Sequence, residues 1–168
     1  GITLPSWVCA QPDAIFVSGF ENGETAVPHH PSLGNGGLYP GDQTRTVTVP
    51  GYGSHDYFLH VPSDYVPTRA WPLVVALEGA AGSMAAALSE ARTIRSQWGT
   101  IVPGDQYVVI VPVASGEQGG WNPPDVNGNG PSDYDVIAAA ISDTDSAYNI
   151  ELTRRYAWGY SAGGIILH

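Results

Sequence analysis

Arg155-Tyr156-Ala157-Trp158-Gly159-Tyr160-Ser161-Ala162-Gly163-Gly164 is the stretch that decides the fold. Arg155 to Tyr160 reads as a strand, and Ser161-Ala-Gly-Gly-Ile-Ile-Leu-His168 as the start of a helix. Between them Gly159-Tyr160-Ser161-Ala162-Gly163 fits G-x-S-x-G. A serine on so sharp a strand-to-helix turn has a strained backbone, so the residues two before and two after it must be small. Glycine stands at both places. The turn lifts the hydroxyl clear of the sheet and sets it at a helix N-terminus, where backbone N–H groups favour developing negative charge. Ser161 is therefore the candidate nucleophile and the Ala162 N–H a candidate oxyanion donor. The pattern alone also fits a Gly-rich loop with a capping serine, and the upstream elements separate the two readings.

Those elements alternate. Thr44-Arg-Thr-Val-Thr-Val49 alternates polar and apolar like a half-buried strand, Pro50-Gly-Tyr-Gly53 is a turn, and Asp56-Tyr-Phe-Leu-His-Val61 is a second strand, making a hairpin. Leu73-Val-Val-Ala-Leu77 and Tyr107-Val-Val-Ile-Val111 are continuous apolar runs, as strands buried on both faces of a parallel sheet require. Met84, Leu88, Ala91, Ile94 and Trp98 form a helical stripe, as do Ile137, Ala140, Ile141, Thr144 and Tyr148 with Asp135 as the expected N-cap. Hairpin, then strands alternating with helices, means a mostly parallel α/β sheet. Residues 1–43 are irregular, with Pro5, Pro12, Pro28, Pro31 and Pro40 and only Ala14-Ile-Phe-Val17 strand-like, and read as an extension lying over the core. The regular domain runs from 44 to 168.

A second loop belongs with the serine. Leu77-Glu-Gly-Ala-Ala-Gly-Ser83 follows the first buried strand. Parallel strands end on one side of a sheet, where sites form. A small-residue turn there can offer a backbone N–H to an oxyanion, and Ala80 is the candidate. The same residues also fit a simple strand-to-helix turn.

Composition narrows the partners. The 168 residues are one domain's worth of chain. Charged residues are 13 %, about half the usual ~25 %, while hydrophobic residues reach 43 %, which argues against disorder. Six basic residues, all arginine, stand against sixteen acidic, for a net charge of −10. That balance argues against nucleic acid and against an anionic membrane surface. No apolar run nears the ~18 residues of a membrane span. The single cysteine, Cys9, cannot form an internal disulfide, leaving a free thiol or a bond to a cysteine outside this chain.

Tyr57-Phe-Leu-His-Val-Pro-Ser-Asp-Tyr65, Pro72-Leu-Val-Val-Ala-Leu-Glu-Gly-Ala-Ala-Gly-Ser83, Asp135-Val-Ile, Tyr148-Asn-Ile and the elbow stretch together resemble the extracellular poly(3-hydroxybutyrate) depolymerase and feruloyl/acetylxylan esterase group of α/β-hydrolases. The resemblance covers about residues 44–168. It implies a secreted serine carboxylic-ester hydrolase, with Ser161 as nucleophile, Ala162 and Ala80 at the oxyanion hole, an ester substrate and no redox cofactor. One departure stands out: the group has His-Gly after the first buried strand, and this chain has Glu78-Gly79. Glu78 would hold the loop by hydrogen bonds or tune the charge of the site. Glu78, Trp121 and Tyr160 are candidates for the substrate cleft, Trp121 fitting a packing role equally well.

The triad order is Ser, then Asp or Glu, then His, and only seven residues follow Ser161. His168 would lie two turns along the same helix, ~10 Å away, beyond the reach of a general base. His55 and His60 lie on the hairpin and are expected to be structural or exposed. The expectation is an N-terminal portion of a larger hydrolase, completed by a second chain or by further sequence, with Cys9 as a possible link. A serine peptidase or amidase of the same fold, and a non-catalytic member favoured by Glu78, are the rival readings.

Two smaller features stay open. His29-His30 reads as a loop pair, since a metal role needs further ligands. Asp125, Asn127 and Asn129 with Gly130 match the first half of a calcium loop, with Asp133 at its ninth position, but Val136 stands where a bidentate acid belongs. A working calcium loop predicts that a chelator lowers the melting temperature, and an unchanged melt removes it.

Overall fold

The computed structural model describes residues 29–101, 106–124, 128 and 130–168. Cys9, the strand expected at 14–17 and Asp125, Asn127 and Asn129 lie outside the described residues. The chain builds a hairpin from β1 (Gly41–Val49) and β2 (Gly53–Val61). Then come β3 (Trp71–Leu77), α1 (Met84–Ile101), β4 (Val108–Pro112), α2 (Asp133–Ala147), β5 (Ile150–Gly159) and the short α3 (Ala162–Ile166). The sheet order is β1-β2-β4-β3-β5. β1, β2 and β4 pair antiparallel, whereas β4, β3 and β5 run parallel.

The apolar strands are buried on both faces, as their unbroken runs require. Successive side chains of a strand point to opposite faces. On one face Tyr57, Leu59, Leu73, Val75, Leu77 and Ile110 pack with Val136, Ala140 and Ile141 of α2. On the other, Phe58, Val74, Ala76, Val109 and Val111 pack with Ala87, Ala91 and Ile94 of α1. The hairpin turns on Gly51 and Gly53, both at positive φ, with the Tyr52 N–H donating to Val49 O at 3.0 Å.

Several boundaries differ from expectation. β1 starts at Gly41, ahead of Thr44, and Tyr107 lies just outside β4. On α1 the buried face is Ala87-Ala91-Ile94, while Met84 is exposed. Ala87 is small enough to let the helix approach the sheet, a fit that apolar spacing alone does not signal. The N-cap of α2 is Ser132, not Asp135. Asp135 sits at the third helical position and reaches back, accepting from the Ser132 N–H at 2.8 Å and the Ser132 hydroxyl at 3.1 Å. Tyr148 follows that helix instead of ending its stripe. β5 begins at Ile150 and carries a register shift before Arg155.

Residues 29–37 run along the corner between α2 and β5. Ser32 N–H donates to Ile150 O at 2.8 Å and Leu152 N–H to His30 O at 2.9 Å. Gly34 and Gly37 allow the approach, since a Cβ on Gly34 would lie 2.1 Å from Asp145 O. The His29-His30 pair closes on buried Glu151: His29 Nδ1 lies 2.8 Å from one carboxylate oxygen and the His30 N–H donates to the other at 2.7 Å.

Among polar contacts, Asp143 ties α2 to the hairpin. It accepts from Arg45 Nε at 2.7 Å, Arg45 Nη2 at 3.0 Å and the Tyr57 hydroxyl at 2.7 Å. The Arg45 hydrogen bond holds the Asp143 carboxyl below its ordinary value of 3.8. A carboxyl depressed by folding contributes stability above its unfolded value and loses it as the pH falls through the folded one. Asp143→Ala should cost about 1–3 kcal/mol in urea unfolding at pH 7. That penalty should shrink as the pH is lowered through the depressed carboxyl value, and a penalty independent of pH would contradict the assignment.

Candidate active site

The site lies where β3 and β5 end side by side. Leu77 is in register with Gly159, and the Tyr160 N–H donates to Leu77 O at 3.0 Å, continuing the ladder one residue past β5. The loops after both strands therefore open at the same edge of the sheet.

Ser161 has φ 52° and ψ −118°, a left-handed conformation uncommon outside glycine. Its carbonyl accepts from Gly164 N–H at 3.0 Å and Ile165 N–H at 3.2 Å, which starts α3. The two flanking glycines are required by contact. A Cβ on Gly159 would stand 2.5 Å from Gly163 C and O, and a Cβ on Gly163 would stand 2.4 Å from Leu77 O and 2.5 Å from Glu78 O. Ser161 itself is exposed. Ala162 occupies the first helical position, where the N–H has no intrahelical acceptor.

The loop after β3 touches the serine. A Cβ on Gly79 would lie 3.3 Å from Ser161 Cβ and 3.2 Å from the Tyr160 ring. Ala80 is exposed beside it, while the Ala81 N–H is committed to Gly119 O at 3.2 Å. Gly119 belongs to a 3-10 turn (Glu117–Gly119) beneath the loop, where a Cβ would meet Ser83 O at 2.4 Å. Ser83 in turn caps α1, its hydroxyl accepting from the Ala86 N–H at 3.1 Å.

Glu78, expected at the cleft, is fully buried, which puts its side chain under the loop and not on an open cleft surface. Its Oε1 accepts from the Ala114 N–H at 2.6 Å, and its Oε2 has no partner among the described residues. Burial pushes its carboxyl up from 4.5 to about 7. Trp121 is half-buried and packs on the core, and its indole N–H donates to Glu78 O at 2.8 Å. Tyr160 is 60 % exposed at the mouth of the site.

Asp133, the ninth position of the calcium-loop pattern, has a structural role among the described residues. Buried, it accepts from Ser115 N–H at 3.0 Å, Asn122 N–H at 2.8 Å, the Tyr52 hydroxyl at 3.2 Å and the Ser115 hydroxyl. Among the described residues no group of three or more His, Cys, Asp or Glu is placed to hold a metal ion. The Asp133 cluster, which ties the end of β4 to α2 and the hairpin turn, was missed from sequence; the Ser132-x-x-Asp135 capping pattern would have placed Asp133 in the first turn of a helix.

The histidines are engaged elsewhere. His55 Nε2 lies 3.1 Å from Tyr52 O with its ring stacked on Tyr52, and His60 Nδ1 lies 2.7 Å from Asp42 Oδ1. His168 is exposed at the end of α3. Among the described residues none hydrogen-bonds the Ser161 hydroxyl.

The strained serine and its glycines give two stability predictions. Ser161→Gly should raise stability by about 1–2 kcal/mol in urea unfolding, by releasing the positive φ, while Ser161→Ala should not. Gly163→Ala should cost at least about 2 kcal/mol, because its methyl meets backbone that cannot yield. An unchanged unfolding midpoint in either glycine-related variant would contradict this geometry.

No family model matches the chain, and no curated protein matches it. Solved structures do. A thermostable esterase is similar with a TM-score of 0.52 at 24 % identity, over 73 % of this chain and 35 % of its own. A putative dipeptidyl aminopeptidase IV from Bacteroides ovatus gives 0.53 at 18 % identity, over 74 % and 18 %. A protein designated FAE gives 0.51 at 15 % identity, over 84 % and 53 %. The chain thus spans about a third, a fifth and a half of these proteins. Such identities speak to the fold, and with the strand order and the strand–serine–helix turn they establish it: the chain carries part of an α/β-hydrolase fold.

Proposed function

We propose that this chain supplies the nucleophile and the oxyanion-binding loops of a serine carboxylic-ester hydrolase. The observation that carries the reading is Ser161 at φ 52°, ψ −118° on the turn from a parallel strand into a helix, pressed between Gly159 and Gly163. Proteins keep a non-glycine residue in such a conformation at a cost, and these outliers cluster at active sites.

In this reading Ser161 Oγ attacks the ester carbonyl carbon while a histidine takes its proton. The carbonyl oxygen becomes an oxyanion held by the Ala162 and Ala80 N–H groups. Collapse breaks the ester C–O bond, and the histidine returns the proton to the leaving alcohol. Water then attacks the acyl-serine by the same route in reverse. The histidine and the acid that orients it come from sequence outside this chain, either continuous with it or in a second polypeptide bonded through Cys9. The chemistry needs no redox cofactor. We place the substrate among polyesters or acyl groups esterified to polysaccharide, and the protein outside the cell, on the sequence resemblance.

A peptidase is the second reading, favoured by the likeness to the putative dipeptidyl aminopeptidase IV. Triad chemistry is shared by both. Short-chain p-nitrophenyl esters and peptide p-nitroanilides, offered to the full-length protein, separate them. Ester turnover should dominate, and Ser161→Ala should lower kcat about 10⁶-fold. Preferential amide cleavage would establish the peptidase instead. Ester turnover surviving in Ser161→Ala would remove the serine from the mechanism.

A further inference from the structure

Glu78 is a buried acid that ester chemistry does not use. It stands at the end of β3, directly before Gly79, which packs on Ser161. Its backbone carbonyl lies where a Gly163 side chain would have to go and accepts the Trp121 indole N–H. Its side chain reaches the segment after β4, where Oε1 takes the Ala114 N–H. This one residue therefore braces the β3 loop against the elbow and against the β4 segment.

Its surroundings are wrong for a charge. The side chain has no exposure, and Oε2 has no partner among the described residues. Among the described residues Glu90 of α1 and Asp133 at the start of α2, both acidic, act against its charge, whereas the N–H groups of Ala114 and of Glu78 itself favour the anion, and burial outweighs them. A buried anion with no ion-pair partner among the described residues, and with two further acids acting against its charge, is disfavoured against the neutral acid. A negative charge beneath the loop would also oppose the charge that develops on an oxyanion above it.

We propose that Glu78 is a positioning residue that braces the oxyanion loop as an uncharged carboxylic acid, and that its ionisation disables the site as the pH rises. The proposal rests on the serine-hydrolase reading, and it makes the acid that replaces the resemblance group's histidine an alkaline gate.

The test compares full-length protein with Glu78→Gln, which keeps the Oε1 acceptor and carries no charge at any pH. The pH dependence of kcat/KM on a short-chain p-nitrophenyl ester should fall above about pH 7 in the unaltered protein, approaching about tenfold per pH unit. Glu78→Gln should lack that fall. Melting curves give a readout free of catalysis. The folded protein holds the Glu78 proton more tightly than the unfolded chain, so this group lowers stability as the pH rises from about 4.5 to about 7 and no further above it. Glu78→Gln should gain melting temperature on the unaltered protein across that window. Parallel pH profiles and parallel melting curves would overturn the proposal. If neither protein turns over ester, the hydrolase reading falls and takes the gate with it, while the melting curves still decide the charge on Glu78. Should Glu78→Gln fail to fold, infrared spectra of the unaltered protein decide instead. A carboxylic-acid carbonyl stretch should disappear as the pH passes about 7, and its absence below that pH would overturn the proposal.

Discussion

The candidate site depends on one backbone contact, the approach of Gly163 to the carbonyl oxygens of Leu77 and Glu78, where a Cβ would come within 2.4 and 2.5 Å. It brings the first turn of α3 hard against the end of β3. From it follow the sharpness of the turn, the positive φ of Ser161 and the contact of Gly79 with the serine. Gly159 is the same constraint seen from the strand side. Neither glycine is there for flexibility. Each is there because any side chain would hold the two loops apart.

Strain of this kind persists only where the surroundings over-determine it. The sheet provides that rigidity. β3 is covered on both faces, Leu73, Val75 and Leu77 by the α2 layer and Val74 and Ala76 by the α1 layer. Parallel register then fixes Leu77 opposite Gly159, so the two loops cannot slide. Beneath them the loop after β3 is held by Gly119, the segment after β4 by Asp133, and the two are joined through Glu78. The order of events is burial first, register second and the serine's conformation last.

Much of this was legible in the residues. The unbroken runs Leu73–Leu77 and Tyr107–Val111 carried the two-faced burial, although Tyr107 lies just outside β4, and G-x-S-x-G carried the sharp strand-to-helix turn together with the need for both glycines. The α/β class and the order of elements followed from these. What escaped was set by packing between distant segments. Ala87, and not Met84, faces the sheet because the helix sits close. The burial of Asp133 is set by Ser115, Asn122 and Tyr52, which lie outside its helix, whereas the Ser132 cap beside it is a local Ser-x-x-Asp pattern. The burial of Glu78 also follows from tertiary contact, with Ala114 and Trp121, that no local pattern encodes. At the site itself the serine and its glycines were readable from spacing, whereas the direction of the Glu78 side chain was not.

The central claim is that the strained serine is a nucleophile and not a loop cap. A fluorophosphonate reacts with a serine only when that serine is activated, and the resulting adduct can be located by peptide mass mapping. Treated as full-length protein, the account predicts a single adduct on the peptide containing Ser161. An unmodified protein, or an adduct on a different serine, would contradict it.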